Sequence, residues 1–85
     1  MEKSGPRLTA NRKQQKALLS LLRELRQKAG ITQVEMARKL GKPQPFVSYY
    51  ESGARRLDLL ELRQVCAILG IPLVDFIKRF EKSLG

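Results

Sequence analysis

Apolar residues recur at helical spacing in five stretches of this chain, and four of the five close on a glycine. Leu18, Leu21, Leu22, Leu25 and Ala29 make the first stripe. Asn11 followed by Gln14 reads as a capping box ahead of it, each side chain satisfying an orphan amide of the first turn, so a helix is expected from about Arg12 to Lys28 with Gly30 behind it. Thr32 and Glu35 repeat the capping pattern before Val34, Met36, Ala37 and Leu40, and Gly41 stops a short helix over 33–40. Phe46, Val47 and Tyr50 are the apolar set of a third helix, expected from about Gln44 to Glu51 and ended by Gly53. Prolines 43 and 45 fit only its first turn, where the amide has no intrahelical partner.

Ala54 to Leu57 form a basic loop, and Asp58 with Glu61 caps a fourth helix over 59–69. Leu59, Leu62, Cys66 and Leu69 share one of its faces, with Leu60, Val65 and Ile68 beside them, up to Gly70. After Ile71 and Pro72 a last helix carries Leu73, Phe76, Ile77, Phe80 and Leu84 as one stripe. Nothing signals a strand. The expected fold is all-α, a compact five-helix bundle.

The 85 residues allow one domain, which at this size buries a little over ~60% of the surface its unfolded chain exposes. Residues 1–10, with Gly5 and Pro6 and few apolar side chains, read as a flexible basic arm ahead of a single domain over 11–85. The longest apolar runs, such as Ile71 to Val74, fall far short of the ~20 residues that cross a bilayer. The polar start lacks the apolar middle of a secretory signal, and a single cysteine, Cys66, cannot form an internal disulfide. Both point to a reducing, cytoplasmic location. With no histidine and one cysteine the chain lacks a zinc ligand cluster and a histidine base, so neither metal, cofactor nor enzyme activity is expected.

Charge changes the picture by where it sits. The net charge is +9: residues 1–30 carry eight Lys/Arg against two acids, residues 31–57 five against two, and residues 58–85 four against four. The cationic surface therefore belongs to the first two thirds of the chain. It suits a polyanionic partner, nucleic acid ahead of membrane, because no helix pairs a strongly basic face with an exposed aromatic one. The plainer alternative is a basic surface kept for solubility.

The spacing within residues 33–52 narrows the choice. Counting Gln33 as first, Ala37 is fifth, Gly41 ninth, Val47 fifteenth and Tyr50 eighteenth. A small residue at 37 lets two helices approach, Gly41 adopts the turn conformation, and Met36, Leu40, Val47 and Tyr50 seal the angle between them. This is a helix-turn-helix pattern. With the approach LRELRQKAGITQ, the turn LGKPQ, the helix FVSYYESG and the segment LLELRQVCAILGIPL, it resembles the phage-repressor, or Xre-type, helix-turn-helix family over about Leu22 to Ile77.

The resemblance implies that the third helix enters the major groove of double-stranded DNA while the second crosses the backbone. The outward positions of the reading helix are then Pro43, Gln44, Pro45, Ser48, Tyr49 and Ser52. Gln44 is the leading base reader, since an amide both donates to and accepts from the adenine edge. Ser48 can reach a base or a phosphate. Tyr49 offers its ring to a thymine methyl or its hydroxyl to phosphate, and Pro45 offers apolar contact alone. Phosphate contacts are expected from Gln33, Lys42, Ser52, Arg55 and Arg56, with Gln33 aided by the positive end of its helix. Arg26 and Glu51 match positions that form a structural ion pair in relatives. Proline at 43 cannot supply the side-chain oxygen that often caps the reading helix, so that helix starts later or leans on water. The basic lead from Lys3 to Lys16 is either an arm following the DNA or a disordered tail.

A module this small gains useful specificity as a dimer on a two-fold operator. Leu73, Ile77, Phe80 and Leu84, within a candidate dimerisation helix over 72–84, are the expected homodimer interface, against the alternative that they complete the monomer core. The functional expectation is a small bacterial or phage-encoded transcriptional regulator, a repressor acting as a dimer on a palindromic operator. The rival is an antitoxin or other protein-interaction module of the same fold, with a toxin as partner. An RNA-binding reading lacks an aromatic stacking platform.

Overall fold

The structure, a computed structural model, describes residues 8–85 and the side chains from Arg12 onward. Five helices follow one another: α1 Leu8–Lys28, α2 Gln33–Leu40, α3 Pro45–Ser52, α4 Leu59–Leu69 and α5 Leu73–Ser83. Among the described residues there is no strand. Nor is any helix long and apolar enough to cross a membrane.

Each stripe delivers its residues to one shared core: Leu22 from α1, Met36 and Ala37 from α2, Phe46, Val47 and Tyr50 from α3, Leu62, Val65 and Cys66 from α4, and Phe76 from α5. Leu18, Leu25, Leu40, Ile68 and Phe80 pack around it, half-buried. Each fully buried aliphatic or aromatic side chain contributes about 1.5–3 kcal/mol, so the core fixes the relative angles of helices too short to persist alone. Cys66 is one of these packing residues, its thiol pushed up to about 11 by burial.

The helix ends follow the capping chemistry at α2 and α4. Thr32 Oγ1 accepts from the Glu35 amide at 3.0 Å while Glu35 Oε1 accepts from the Thr32 amide at 2.9 Å. Asp58 and Glu61 make the same reciprocal pair at 2.7 and 2.9 Å. Gly41, at φ 69°, takes the left-handed conformation that closes α2, and Lys42 N donates back to the Ala37 carbonyl at 3.0 Å.

Three expectations change. α1 begins at Leu8, so Asn11 lies within the helix and does not cap it; the helix extends back through Leu8, Thr9 and Ala10, past which the last helix-breaking residues in sequence are Gly5 and Pro6. Of the arm expected over 1–10, residues 8–10 are thus helical and the rest lies outside the described residues. α3 begins one residue late, at Pro45. Leu59 is 64% exposed, because at the first position of α4 it extends past the edge of the core that Leu62 and Cys66 face.

Candidate nucleic-acid interface

α3 has two sides with different chemistry. Phe46, Val47 and Tyr50 turn into the core, and Gln44, Pro45, Ser48, Tyr49 and Ser52 turn outward. Its first turn is built without a side-chain cap. Gln44 stands at the N-cap in the right-handed helical region (φ −51°, ψ −43°), Pro45 at the first helical position needs no amide partner, and Phe46 N donates to the Pro43 carbonyl at 3.0 Å. The missing cap oxygen is therefore answered by a tight backbone turn, and the Gln44 side chain is exposed at the helix entrance. Ser48 is exposed one turn further on, and Tyr49 is 53% exposed at the edge of the same side.

A buried polar network fixes the far end of α3. Arg26, 8% exposed, forks onto Glu51 with Nε at 2.6 Å and Nη2 at 3.1 Å, and its Nη1 donates to the Ile31 carbonyl at 2.8 Å. Hydrogen bonding to Glu51 holds the guanidinium pKa above its ordinary value against the opposing effect of burial. Gln33 Nε2 donates to Glu51 Oε1 at 2.9 Å. One carboxylate thus joins α1, the start of α2 and the last turn of α3. Gln33, expected as a phosphate contact, is oriented by Glu51 through its amide nitrogen.

A second network sits around the Phe46 ring. Lys42 Nζ lies 5.5 Å from the ring centroid and Arg55 Cζ 4.7 Å, while Tyr50 meets the ring edge-on at 5.7 Å. Arg55 also forks onto Glu61 at 3.0 and 2.8 Å and donates to the Arg56 carbonyl at 2.9 Å. Three of its five N–H donors are thereby used. The Arg55 guanidinium and the capping bond from Asp58 hold the Glu61 carboxyl down at about 2. The Ser52 hydroxyl donates to the Tyr49 carbonyl at 3.1 Å and accepts from the Ala54 amide at 3.4 Å. Its one proton serves the turn after α3. Arg56 is exposed beside it.

Of the expected contacts, Gln44, Pro45, Ser48 and Tyr49 share one exposed side of α3, with Lys42 before it and Arg55 and Arg56 after it. Gln33 and Ser48 border a shallow groove whose other wall includes Arg23 of α1. Arg23 was not among the expected residues, because α1 drew attention only for its apolar stripe; the signal was its place three residues before Arg26 on the same helix.

The expected interface stripe on α5 divides. Leu73 and Phe80 are half-buried against the molecule's own core, whereas Ile77 and Leu84 are each 39% exposed. Val74 on α5 and Leu59 and Leu60 on α4 are exposed apolar residues as well.

An all-α domain with two short helices locked at a glycine turn, an outward polar face on the second of them and cations at both of its ends belongs to the DNA-binding transcription regulators. A family model described as Helix-turn-helix matches residues 22–76, and the chain belongs to that Xre-type helix-turn-helix family. Among solved structures, the XRE-family like protein from Pseudomonas syringae pv. tomato str. DC3000 is 42% identical, with a TM-score of 0.82 over 87% of this chain and 90% of that one. The wild-type restriction-modification controller protein C.Esp1396I shares the fold at 21% identity, with a TM-score of 0.76 over 84% of this chain and 93% of that one. No curated protein sequence matches the chain significantly.

Proposed function

We propose that the chain is a sequence-specific repressor that binds a palindromic operator in double-stranded DNA as a homodimer. The observation that carries this reading is the outward face of α3, where Gln44 and Ser48 stand exposed on a helix whose opposite face is core. Gln44 reads a base in the major groove, Ser48 and Tyr49 contact a base or the adjoining phosphate, and Pro45 packs against a thymine methyl. Lys42, Arg56 and the α2 end at Gln33 hold the phosphates, joined by the donors of Arg55 that Glu61 leaves unused. Ser52 joins them only by turning its hydroxyl away from the Tyr49 carbonyl. Such a regulator works in the bacterial cytoplasm, and the exposed Ile77 and Leu84, flanked by Leu73, Phe80 and Val74, supply the contact between copies.

Selection of bound duplexes from a random pool tests this directly. The expected result is an enriched sequence with two-fold symmetry and half-sites about 34–36 Å apart, one helical turn. Gln44→Ala then loses discrimination at one base pair per half-site, by about 1–3 kcal/mol. Recovery of unrelated sequences, or equal loss by Gln44→Ala on every sequence, refutes direct reading. Sedimentation showing a monomer at high concentration, with and without DNA, refutes the dimer.

A further inference from the structure

α1 does more than cover the core. Arg12, Lys16 and Arg23 recur at spacings of four and seven and so line one face of the helix, in a row about 16 Å long at 1.5 Å per residue. All three are exposed. Leu19, between them on that face, packs toward Gly53, coming within 3.5 Å of where a Cβ on that glycine would stand, and this contact ties the row to the end of α3. Arg12 and Lys16 together with Gln15, Ser52 and Arg56 border a groove of about 420 Å³, and Arg23 borders the adjoining groove with Gln33, Ser48 and Ser52. Ser52 is common to both. The two grooves thus run on from the outward face of α3, the first lined by three cations and no acid, the second holding one acid, Glu51, already engaged by Arg26. Arg12 and Lys16 lie before residue 22, where the match to the family model starts.

We infer that the N-terminal half of α1 is a second phosphate-binding element, in which Arg12 and Lys16, with Arg56, grip the DNA backbone flanking the bases read by α3. The inference rests on the reading of α3 as a DNA-contacting helix. Its chemistry is that of phosphodiester recognition: guanidinium and ammonium groups at a helical row, an amide at Gln15 and a hydroxyl at Ser52, with nothing that distinguishes one base from another. An acidic protein segment is the competing occupant. DNA is favoured because the groove is continuous, through Ser52, with the face that carries Gln44 and Ser48.

The test uses the full chain and a duplex recovered by the selection above. Affinity is measured by fluorescence anisotropy from about 50 to about 200 mM salt for the wild type, Arg12→Gln/Lys16→Gln, the charge-preserving Arg12→Lys/Lys16→Arg, and Lys78→Gln/Lys82→Gln as a charge-matched control on α5. Circular dichroism establishes that each variant is folded. Two lost phosphate contacts lower the salt slope by about 1.8, so across that range the wild type should lose about 12-fold more affinity than Arg12→Gln/Lys16→Gln. The loss should be the same on every sequence, the charge-preserving variant should restore the slope, and the α5 control should keep it. If the wild type binds and Arg12→Gln/Lys16→Gln retains its slope, the inference falls and the DNA reading stands. If the α5 control flattens the slope equally, the effect is net charge and the inference again falls. A wild type that binds no duplex at all overturns both.

Discussion

Replacing Glu51 tests the physical basis of the site more sharply than any surface change. Its carboxylate accepts two bonds from Arg26 and one from Gln33, and its side chain is 4% exposed. Glu51→Ala leaves the Arg26 guanidinium buried without its counter-charge. Breaking a buried pair in this way costs about 3–5 kcal/mol. The surviving bond from Arg26 Nη1 to the Ile31 carbonyl places the cost toward the lower end, about 3 kcal/mol. A domain of this size is stable by about 4–13 kcal/mol, and 1 kcal/mol shifts its Tm by about 4–8 °C, so Glu51→Ala should melt about 12–24 °C below the wild type. The double variant Arg26→Met/Glu51→Leu removes both charges and fills the space with apolar atoms of similar size. It should recover most of the loss, because the pair's attraction and its desolvation nearly cancel. Urea and thermal unfolding followed by circular dichroism complete the cycle. A Glu51→Ala variant melting within about 4 °C of the wild type refutes the reasoning, and so does a double variant whose loss is the sum of the two single losses. The double variant also frees Gln33 from its partner, so weakened DNA binding by a fully stable protein would isolate the orienting role of Glu51.

Further expectations follow from single contacts. Gly41→Ala places a side chain at φ 69° where nothing lies within 4 Å, so the cost is the left-handed backbone alone, about 1–2 kcal/mol by urea unfolding; a neutral effect would contradict that conformation. Glu61 has its folded pKa lowered to about 2 from an ordinary 4.5, mainly by the Arg55 guanidinium. Its stabilisation is complete above the ordinary value and is lost as pH falls from about 5 toward about 2, so Glu61→Gln should show a shallower fall of Tm over that window. Phe46→Leu keeps an apolar side chain but removes the ring face under Lys42 and Arg55; DNA affinity should drop on all sequences alike while the α3 base preference stays, and a changed preference would mean that Phe46 reads bases.

How far the sequence could be read depended on how local the determining chemistry is. α2 and α4 were legible to the residue because both ends carry their own signals: Thr32 with Glu35 and Gly41, Asp58 with Glu61 and Gly70. The start of α1 was not, since Asn11 and Gln14 satisfy the spacing of a capping box equally well inside a helix that begins at Leu8. Periodicity put Leu59 on the same face as Leu62, yet a helix's first residue can extend past the core it faces, and no pattern within the chain reports where the core ends. The side-chain networks were beyond reach for another reason. Arg55 and Glu61 are near in sequence, but the bend that brings their side chains together belongs to the fold, and the Glu51 carboxylate draws on residues 25 and 18 positions away. The family resemblance could indicate the Arg26–Glu51 pair, but not that Gln33 completes it.

These networks also explain how a reading helix of eight residues can hold its place without a side-chain cap. Two prolines fix φ on either side of Gln44, Phe46 anchors the first turn in the core between Lys42 and Arg55, and Glu51 ties down the last turn. The backbone that presents Gln44 is therefore restricted before any DNA arrives. Ordering a chain on binding opposes affinity, by about 1–2 kcal/mol for each backbone residue that must be fixed, so this restriction lowers the cost of placing an amide against a base edge. The same restriction narrows what the helix can reach. A capping serine or threonine would have added a polar contact at position 43, and a polar residue at 45 a second base reader; with prolines there, hydrogen-bonding discrimination at the helix entrance passes to Gln44 alone, and Pro45 distinguishes sequences only through apolar contact.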